Sequence, residues 1–135
     1  MNYARFLEHF NNNDMFSIKN GMKLLKMEEG YAETEFDYNA DYNNFMGTLH
    51  GGALSTMADI TAGVSIISFG KICVTLNANI NYVKPPRNGK IRAIATVVNH
   101  SKRIGTSEVK IYDEENTLVC YCSYIMYITN KDAHF

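Results

Sequence analysis

The stretch from Asn44 to Gly70 limits most strongly what this chain can fold into. It opens Asn-Phe-Met-Gly-Thr-Leu-His-Gly-Gly and then runs apolar to Gly70. Ala53, Met57, Ile60, Val64 and Ile67 recur at helical spacing, which predicts one buried stripe. Gly52, Thr56, Asp59, Gly63 and Ile66 form a second line beside it. The spacing therefore predicts a long helix from about His50 to Phe69, closed by Gly70 as its C-cap, with Asp59 on the border of the buried face. From Tyr42 to Gly70, Asp59 is the only residue with a formal charge at neutral pH. No basic residue lies within a helical turn of it, and Asp is a poor helix-interior residue. A carboxylate left unpaired at the edge of a core is costly. Taken alone, it is equally well explained by chemistry, by a bond to a distant segment, or by a solvent-facing position.

Gly51 and Gly52 stand where the helix begins. The first amides of a helix lack partners and carry positive potential, and glycine lets a ligand oxygen approach them. Such amides polarise a carbonyl or hold an anion. A plain glycine-rich helix start has the same residues. The combination with Asn44, His50 and an acid nine residues after the histidine carries more information than any part.

The segment Asn44-x-x-Gly47-x-x-His50-Gly51-Gly52-(six)-Asp59 resembles the active-site segment of hotdog-fold thioesterases, specifically the PaaI-like acyl-CoA thioesterases. The resemblance continues through Asn79-Ile80-Asn81-Tyr82-x-x-Pro85 and Gly89 and the strand pattern to Tyr127, roughly residues 20 to 128. It implies an α+β hotdog fold, an antiparallel sheet wrapped around one long helix, paired as a homodimer with sites at the interface and often as a dimer of dimers. It implies hydrolysis of acyl-CoA thioesters, with coenzyme A as part of the substrate and no separate cofactor. Asp59 would be the general base toward water or, less readily, a nucleophile. Burial beside Thr56 and Gly63 would make it a stronger base. The carbonyl would be polarised by the Gly51 or Gly52 amide with help from Asn44. Thr75 would position the water, acting with the Asp59 of one subunit and the strand of the other, and His50 would orient the loop or assist the leaving thiolate. Each has a plainer explanation: His50 as a helix cap, Thr75 as an ordinary strand residue, Asn44 as a turn residue. Thr56, Gly63 and Tyr82 would meet the acyl group, and Arg87, Gly89, Lys102, Arg103 and Gly105 the coenzyme A end. Arg87, Lys90, Lys102 and Arg103 are expected to cluster in turns around two neighbouring strands.

Composition narrows the remaining classes. A chain of 135 residues is one domain, expected as an N-terminal helical segment over 1–20 and a single hotdog domain over 21–130. Thirteen basic against 14 acidic residues, with no basic tract, speak against nucleic-acid and membrane-surface binding. No run is long and apolar enough to span a membrane, and the first 20 residues lack a signal-peptide core. Cys73, Cys120 and Cys122 make an odd count that fits reduced thiols and a cytoplasmic location. Cys120 and Cys122 share a strand face, but nothing completes a metal set, so no metal is expected.

In chain order, a short helix is expected over Asn2 to Phe10, broken by Asn11-Asn12-Asn13-Asp14, with one further turn over Met15 to Lys19. Met22 to Glu28 and Tyr31 to Asp37 read as a hairpin about Glu29-Gly30. After the central helix, Ile72 to Tyr82 is the clearest strand. Strict alternation would place Ile72, Val74, Leu76, Ala78, Ile80 and Tyr82 on one face and Cys73, Thr75, Asn77, Asn79 and Asn81 on the other. A row of small polar groups suits an edge that meets its twin. Lys90 to His100, Ile104 to Asp113 and Thr117 to Ile128 complete the sheet. The last is apolar on both faces, which asks for cover on both, one from the helix and one from another subunit.

Three functions compete. The first is an acyl-CoA thioesterase. The second is a hotdog module that binds acyl-CoA as a sensor without cleaving it, for which Asp59 would be superfluous. The third, a dehydratase or hydratase, would use a histidine base with an acidic partner on the helix, which His50 and Asp59 do not form.

Overall fold

A computed structural model describes all 135 residues. Helix α1 spans Tyr3–Asn13 and α2 spans Met15–Lys19. Strands β1 (Lys23–Glu28) and β2 (Tyr31–Asp37) form the expected hairpin, turning at Gly30 with φ +70°. A short 3-10 turn at Ala40–Tyr42 precedes α3, Gly51–Ile67. Then come β3 (Lys71–Tyr82), β4 (Lys90–His100), β5 (Ile104–Tyr112) and β6 (Leu118–Asp132). The six strands make one antiparallel sheet in the order β1-β2-β4-β5-β6-β3, curled around α3: the α+β hotdog architecture that the resemblance implies.

The asparagine run does not break α1. The Asn12 and Asn13 side chains turn back onto the helix and donate to the carbonyls of Glu8 and His9 at 2.9 and 2.8 Å. Asn11 reaches across to β1, where its amide donates to the Leu24 carbonyl at 2.8 Å and its oxygen accepts from the Leu24 N–H at 2.9 Å. Phe6 packs with Leu24, Met27, Ala32 and Val64. The N-terminal helix is thus clamped to the sheet. The sheet also runs past the expected domain limit at 130: β6 reaches Asp132, and the Ala133 N–H donates to the Gly70 carbonyl at 3.0 Å.

The buried face of α3 is turned from the expected stripe. Leu54, Met57, Ala58, Thr61, Ala62, Val64, Ser65 and Ile66 are buried, while Ala53, Ile60 and Ile67 are only half-buried. The cause is two polar pairs inside the fold. Thr61 and Thr34 hydroxyls meet at 2.6 Å, and Ser65 and Ser107 hydroxyls at 2.9 Å. Hydrogen-bonded pairs can be buried at little cost, so small polar residues join the core face. Ser68 is the C-cap, and Gly70, at φ +91°, turns the chain two residues later.

The alternation expected for β3 also breaks. A β-bulge lies between Thr75, opposite Met126, and Asn77, opposite Ile125. Cys73 and Thr75 point to the helix side before it, and Ala78, Ile80 and Tyr82 do so after it; Asn77, Asn79 and Asn81 face away. β3 is an edge strand with one side of its backbone unpaired. At 52% and 58% exposure, Val74 and Leu76 are unusually bare for an apolar edge.

Candidate active site

Two elements bring the central acid and its partner together. Asp59 projects from the middle of α3, and Thr75 stands on the helix side of β3 just before the bulge. The Thr75 hydroxyl donates to Asp59 Oδ1 at 2.7 Å. Both residues sit within one chain, whereas the sequence reading had divided the work of Asp59 and the strand between subunits. No basic side chain pairs with Asp59, and it is exposed in the single chain. Beside it, Cys73 is mostly enclosed and donates to the Gly63 carbonyl at 3.6 Å. Burial first, and the negative charge of Asp59 second, push the Cys73 thiol up to about 12. It is therefore an inert wall and not a nucleophile.

The helix start is built by His50. Its ring Nδ1 accepts the Gly52 N–H at 3.0 Å, so the neutral ring carries its proton on Nε2. Its backbone carbonyl accepts the Ala53 N–H at 3.0 Å. His50 caps α3. Of the two glycine amides considered for polarising a carbonyl, Gly52 is thus occupied and Gly51 is free. The Tyr82 ring lies against Gly51 so closely that a Cβ there would sit 3.0 Å from it. Tyr82 therefore walls the free amide.

Asn44 holds its own loop. Its Oδ1 accepts from the N–H groups of Met46 and Thr48 at 2.9 and 3.2 Å, and its amide donates to Thr48 Oγ1 at 3.0 Å. Within the chain it acts as a turn residue, and Phe45 and Met46 project from the loop into solvent.

Asp59, Thr75 and Gly63 line one cleft of about 460 Å³, while Thr56 lines another of about 290 Å³ with His50, Gly52 and Tyr42. The acyl-contact residues read from the sequence thus fall on two sides of α3. The first cleft also has a wall that sequence reasoning missed: Phe6, His9 and Phe10 of α1, and Phe135 at the chain's end. The signal available was the i, i+4 pair Phe6 and Phe10 on the apolar side of α1.

The basic residues do not form one cluster. Arg87 and Lys90 stand at the start of β4, where Arg87 pairs with Glu115 at 3.4 Å and Lys90 with Asp37 and Glu35 at 3.2 and 3.6 Å. Asp37 and Glu35 together hold the Lys90 ammonium above its ordinary range. Lys102 and Arg103 follow the other end of this 11-residue strand, roughly 35 Å away at the usual rise. Arg103 donates to Asn130 Oδ1 at 2.8 Å and lies over the Tyr127 ring. Gly89, at φ +114°, is a turn residue against which Glu114 packs, and its carbonyl accepts from Tyr38. Gly105 is buried beneath Ile66: a Cβ there would sit 2.6 Å from Ile66 Cδ1, so its small size serves the contact of β5 with α3.

Comparison with known proteins bears on this arrangement. The proofreading thioesterase EntH of Klebsiella pneumoniae is 27% identical over 105 residues, covering 76% of this chain and 77% of its own. The PaaI protein of the E. coli phenylacetic acid degradation operon shares the fold with a TM-score of 0.89, at 23% identity, over 96% of this chain and 95% of that one. A hypothetical thioesterase of Streptococcus pneumoniae TIGR4, solved with coenzyme A, superposes with a TM-score of 0.83 at 25% identity, over 90% of this chain and 98% of that one. The family model of the thioesterase superfamily matches residues 46–120, from the loop before His50 to the start of β6. A match of that extent, over a sheet and helix of the same architecture, makes the chain a member of the thioesterase superfamily, whose chemistry is the hydrolysis of thioesters.

Proposed function

We propose that the protein hydrolyses acyl-CoA thioesters to the free acid and coenzyme A, with Asp59 as the base and the Gly51 amide as the carbonyl-binding donor. The observation that carries this is the Asp59–Thr75 pair: a carboxylate with no cation, oriented by a hydroxyl at 2.7 Å, at the rim of an apolar cleft. Asp59 accepts a proton from water as the water oxygen bonds to the thioester carbon. The Gly51 N–H, free of any intrachain partner, stabilises the charge that develops on the carbonyl oxygen; one such donor typically lowers a barrier by about 3 kcal/mol. The C–S bond then breaks and the coenzyme A sulfur takes up the proton. Thr75, which keeps its hydroxyl on Asp59, is a positioning residue. No metal or cofactor is needed for these steps.

Two copies of the chain make this geometry workable. Gly51 and Asp59 lie eight residues apart on one helix, about 12 Å along its axis, too far to serve one carbonyl carbon. A two-fold partner added at the free edge of β3 would bring the helix start of one copy toward the Asp59 of the other, bury Val74 and Leu76, and restrict water around the acid. The exposed Phe45 and Met46 lead into the helix start that such a partner would meet. A further pairing of dimers would cover Ile125 and Tyr127 on the outer face of β6. Lys102 and Arg103 adjoin the level of the sheet where Gly105, Met126 and Thr75 stand in register, which supports them, rather than Arg87, as the cations that would meet the coenzyme A phosphates.

The experiment is thiol release from a panel of acyl-CoA esters by wild type and Asp59→Ala. Release by the wild type and a loss of at least 100-fold in the variant is expected. No release by folded wild type from any aryl or alkyl ester would replace hydrolysis by acyl-CoA binding alone.

A further inference from the structure

The cleft beside Asp59 is closed on one side by elements outside the helix and sheet that form the catalytic pair. Its floor and near wall are aliphatic, with Ile60 and Val64 from α3, Val74 from β3 and Met126 from β6. Its far wall carries three phenylalanines beside the polar His9, Asn13 and Asp14. Phe6 and Phe10 of α1 stack at 6.3 Å between centroids, and Phe135 packs edge-on to Phe6 at 5.2 Å. Asp59 with Thr75 makes the polar rim at the chemistry, and His9, Asn13 and Asp14 make a second polar rim where α1 meets solvent. A volume of about 460 Å³ lies within the range of small-molecule pockets.

Gly63 shows that open space here is a property of the sequence. It lies one turn beyond Asp59 on the same side of α3. Glycine weakens a helix interior. Yet Gly63 has no left-handed backbone angle, and a Cβ built on it would meet only Met126 Cε, at an ordinary 3.9 Å. Neither a turn nor a close contact calls for glycine at this position. What it contributes is room above the cleft floor.

We propose that the acyl group of the substrate lies in this cleft, between the aromatic wall of α1 and Phe135 and the open position at Gly63, so that these residues set the acyl length accepted. The inference rests on the thioesterase reading for its substrate. The reacting carbonyl sits at the rim with Asp59, and the hydrocarbon points away from it, under α1. Each buried methylene contributes about fourfold in affinity, so a side chain added at Gly63 discriminates steeply against longer chains.

The test is a series of straight-chain acyl-CoA esters from acetyl to dodecanoyl, with Gly63→Val, Gly63→Ala and Phe10→Ala checked for folding by circular dichroism. The expected result is a fall of at least tenfold in the octanoyl-to-acetyl ratio of kcat/KM for Gly63→Val, and a smaller fall for Gly63→Ala, whose Cβ fits at 3.9 Å. Phe10→Ala shifts the optimum to a longer chain. Calorimetric binding of the non-hydrolysable S-octyl-CoA thioether, expected to weaken at least tenfold in Gly63→Val, reads the same cleft without turnover. Ratios unchanged in folded Gly63→Val and Phe10→Ala, with equal thioether affinity, overturn the acyl cleft and leave hydrolysis standing. Thioether binding lost in Gly63→Val, with no thiol release by the wild type, overturns hydrolysis and supports the cleft.

Discussion

Replacing Gly105 by alanine separates a packing role from a substrate-contact role at that residue. The new Cβ would lie 2.6 Å from Ile66 Cδ1, 3.1 Å from Cγ2 and 3.3 Å from Cγ1. Carbon atoms rest at about 3.5–4.0 Å, so the worst overlap is on the order of 1 Å and two others are smaller. Ile66 is buried in the main core and has little room to retreat. Overpacking of this kind costs about 1–3 kcal/mol, or roughly 4 to 10 °C in Tm for a chain of this size. The closest atom, Cδ1, is absent from valine. Ile66→Val alone costs about 0.5–1.5 kcal/mol, and in the double variant the two losses should fall short of their sum by about 1 kcal/mol. Thermal or chemical unfolding of the four proteins gives the cycle, and KM for one acyl-CoA ester is read alongside. An unchanged Tm with a raised KM in Gly105→Ala, or strictly additive losses, would refute the packing argument and return Gly105 to the coenzyme A site.

Other outcomes follow from the same structure. Thr75→Ala should lower kcat about 10-fold or more with little change in Tm, because the hydroxyl that orients Asp59 is at the surface; Thr75→Ser, which keeps the donor, should restore most of it, and a Thr75→Ala variant with full activity would remove Thr75 from the site. The Cys73 thiol, held near 12 by burial and by Asp59, should alkylate with iodoacetamide far more slowly than free cysteine at pH 8. Its rate should climb about tenfold per pH unit up to that value as the thiolate fraction grows, and Asp59→Asn should speed it at every pH; mass spectrometry of the labelled peptide reads the rate. Val74→Lys with Leu76→Lys should convert a dimer, measured by light scattering as twice 15.3 kDa or a multiple of it, into a 15.3 kDa species that releases thiol at least 10-fold more slowly.

Periodicity made most of the fold legible, and it failed where polar groups find partners inside. The helix and six strands were readable because each carries a run of apolar residues at one spacing. The face of α3 was misread because Thr61 and Ser65 look like surface residues until Thr34 and Ser107 are seen opposite them. The end of α1 was misread because three asparagines signal a loop, and only the fold shows their amides engaged with carbonyls of the helix and of β1. At the site, Asp59 stood out as a lone charge, whereas the bulge after Thr75, which no spacing rule announces, is what puts Thr75 on the helix side and the asparagines on the other. The engagement of the Gly52 amide by His50 is equally a matter of geometry, and it decides which of two adjacent glycines is free.

The bulge in β3 has a further consequence for how the chain tolerates changes of length. Leu76 is the surplus residue: Thr75 and Asn77 are already matched to the consecutive positions Met126 and Ile125. A chain lacking Leu76 would read through in unbroken alternation, with Thr75 still beneath Asp59 and the asparagines still outward. Loss of Ile80 would instead swing Asn81 inward and turn Tyr82 away from the helix start, because side chains in a strand change sides with every residue. Natural variation in the length of this strand is therefore expected at Leu76, whereas single-residue deletions toward Tyr82 should be selected against.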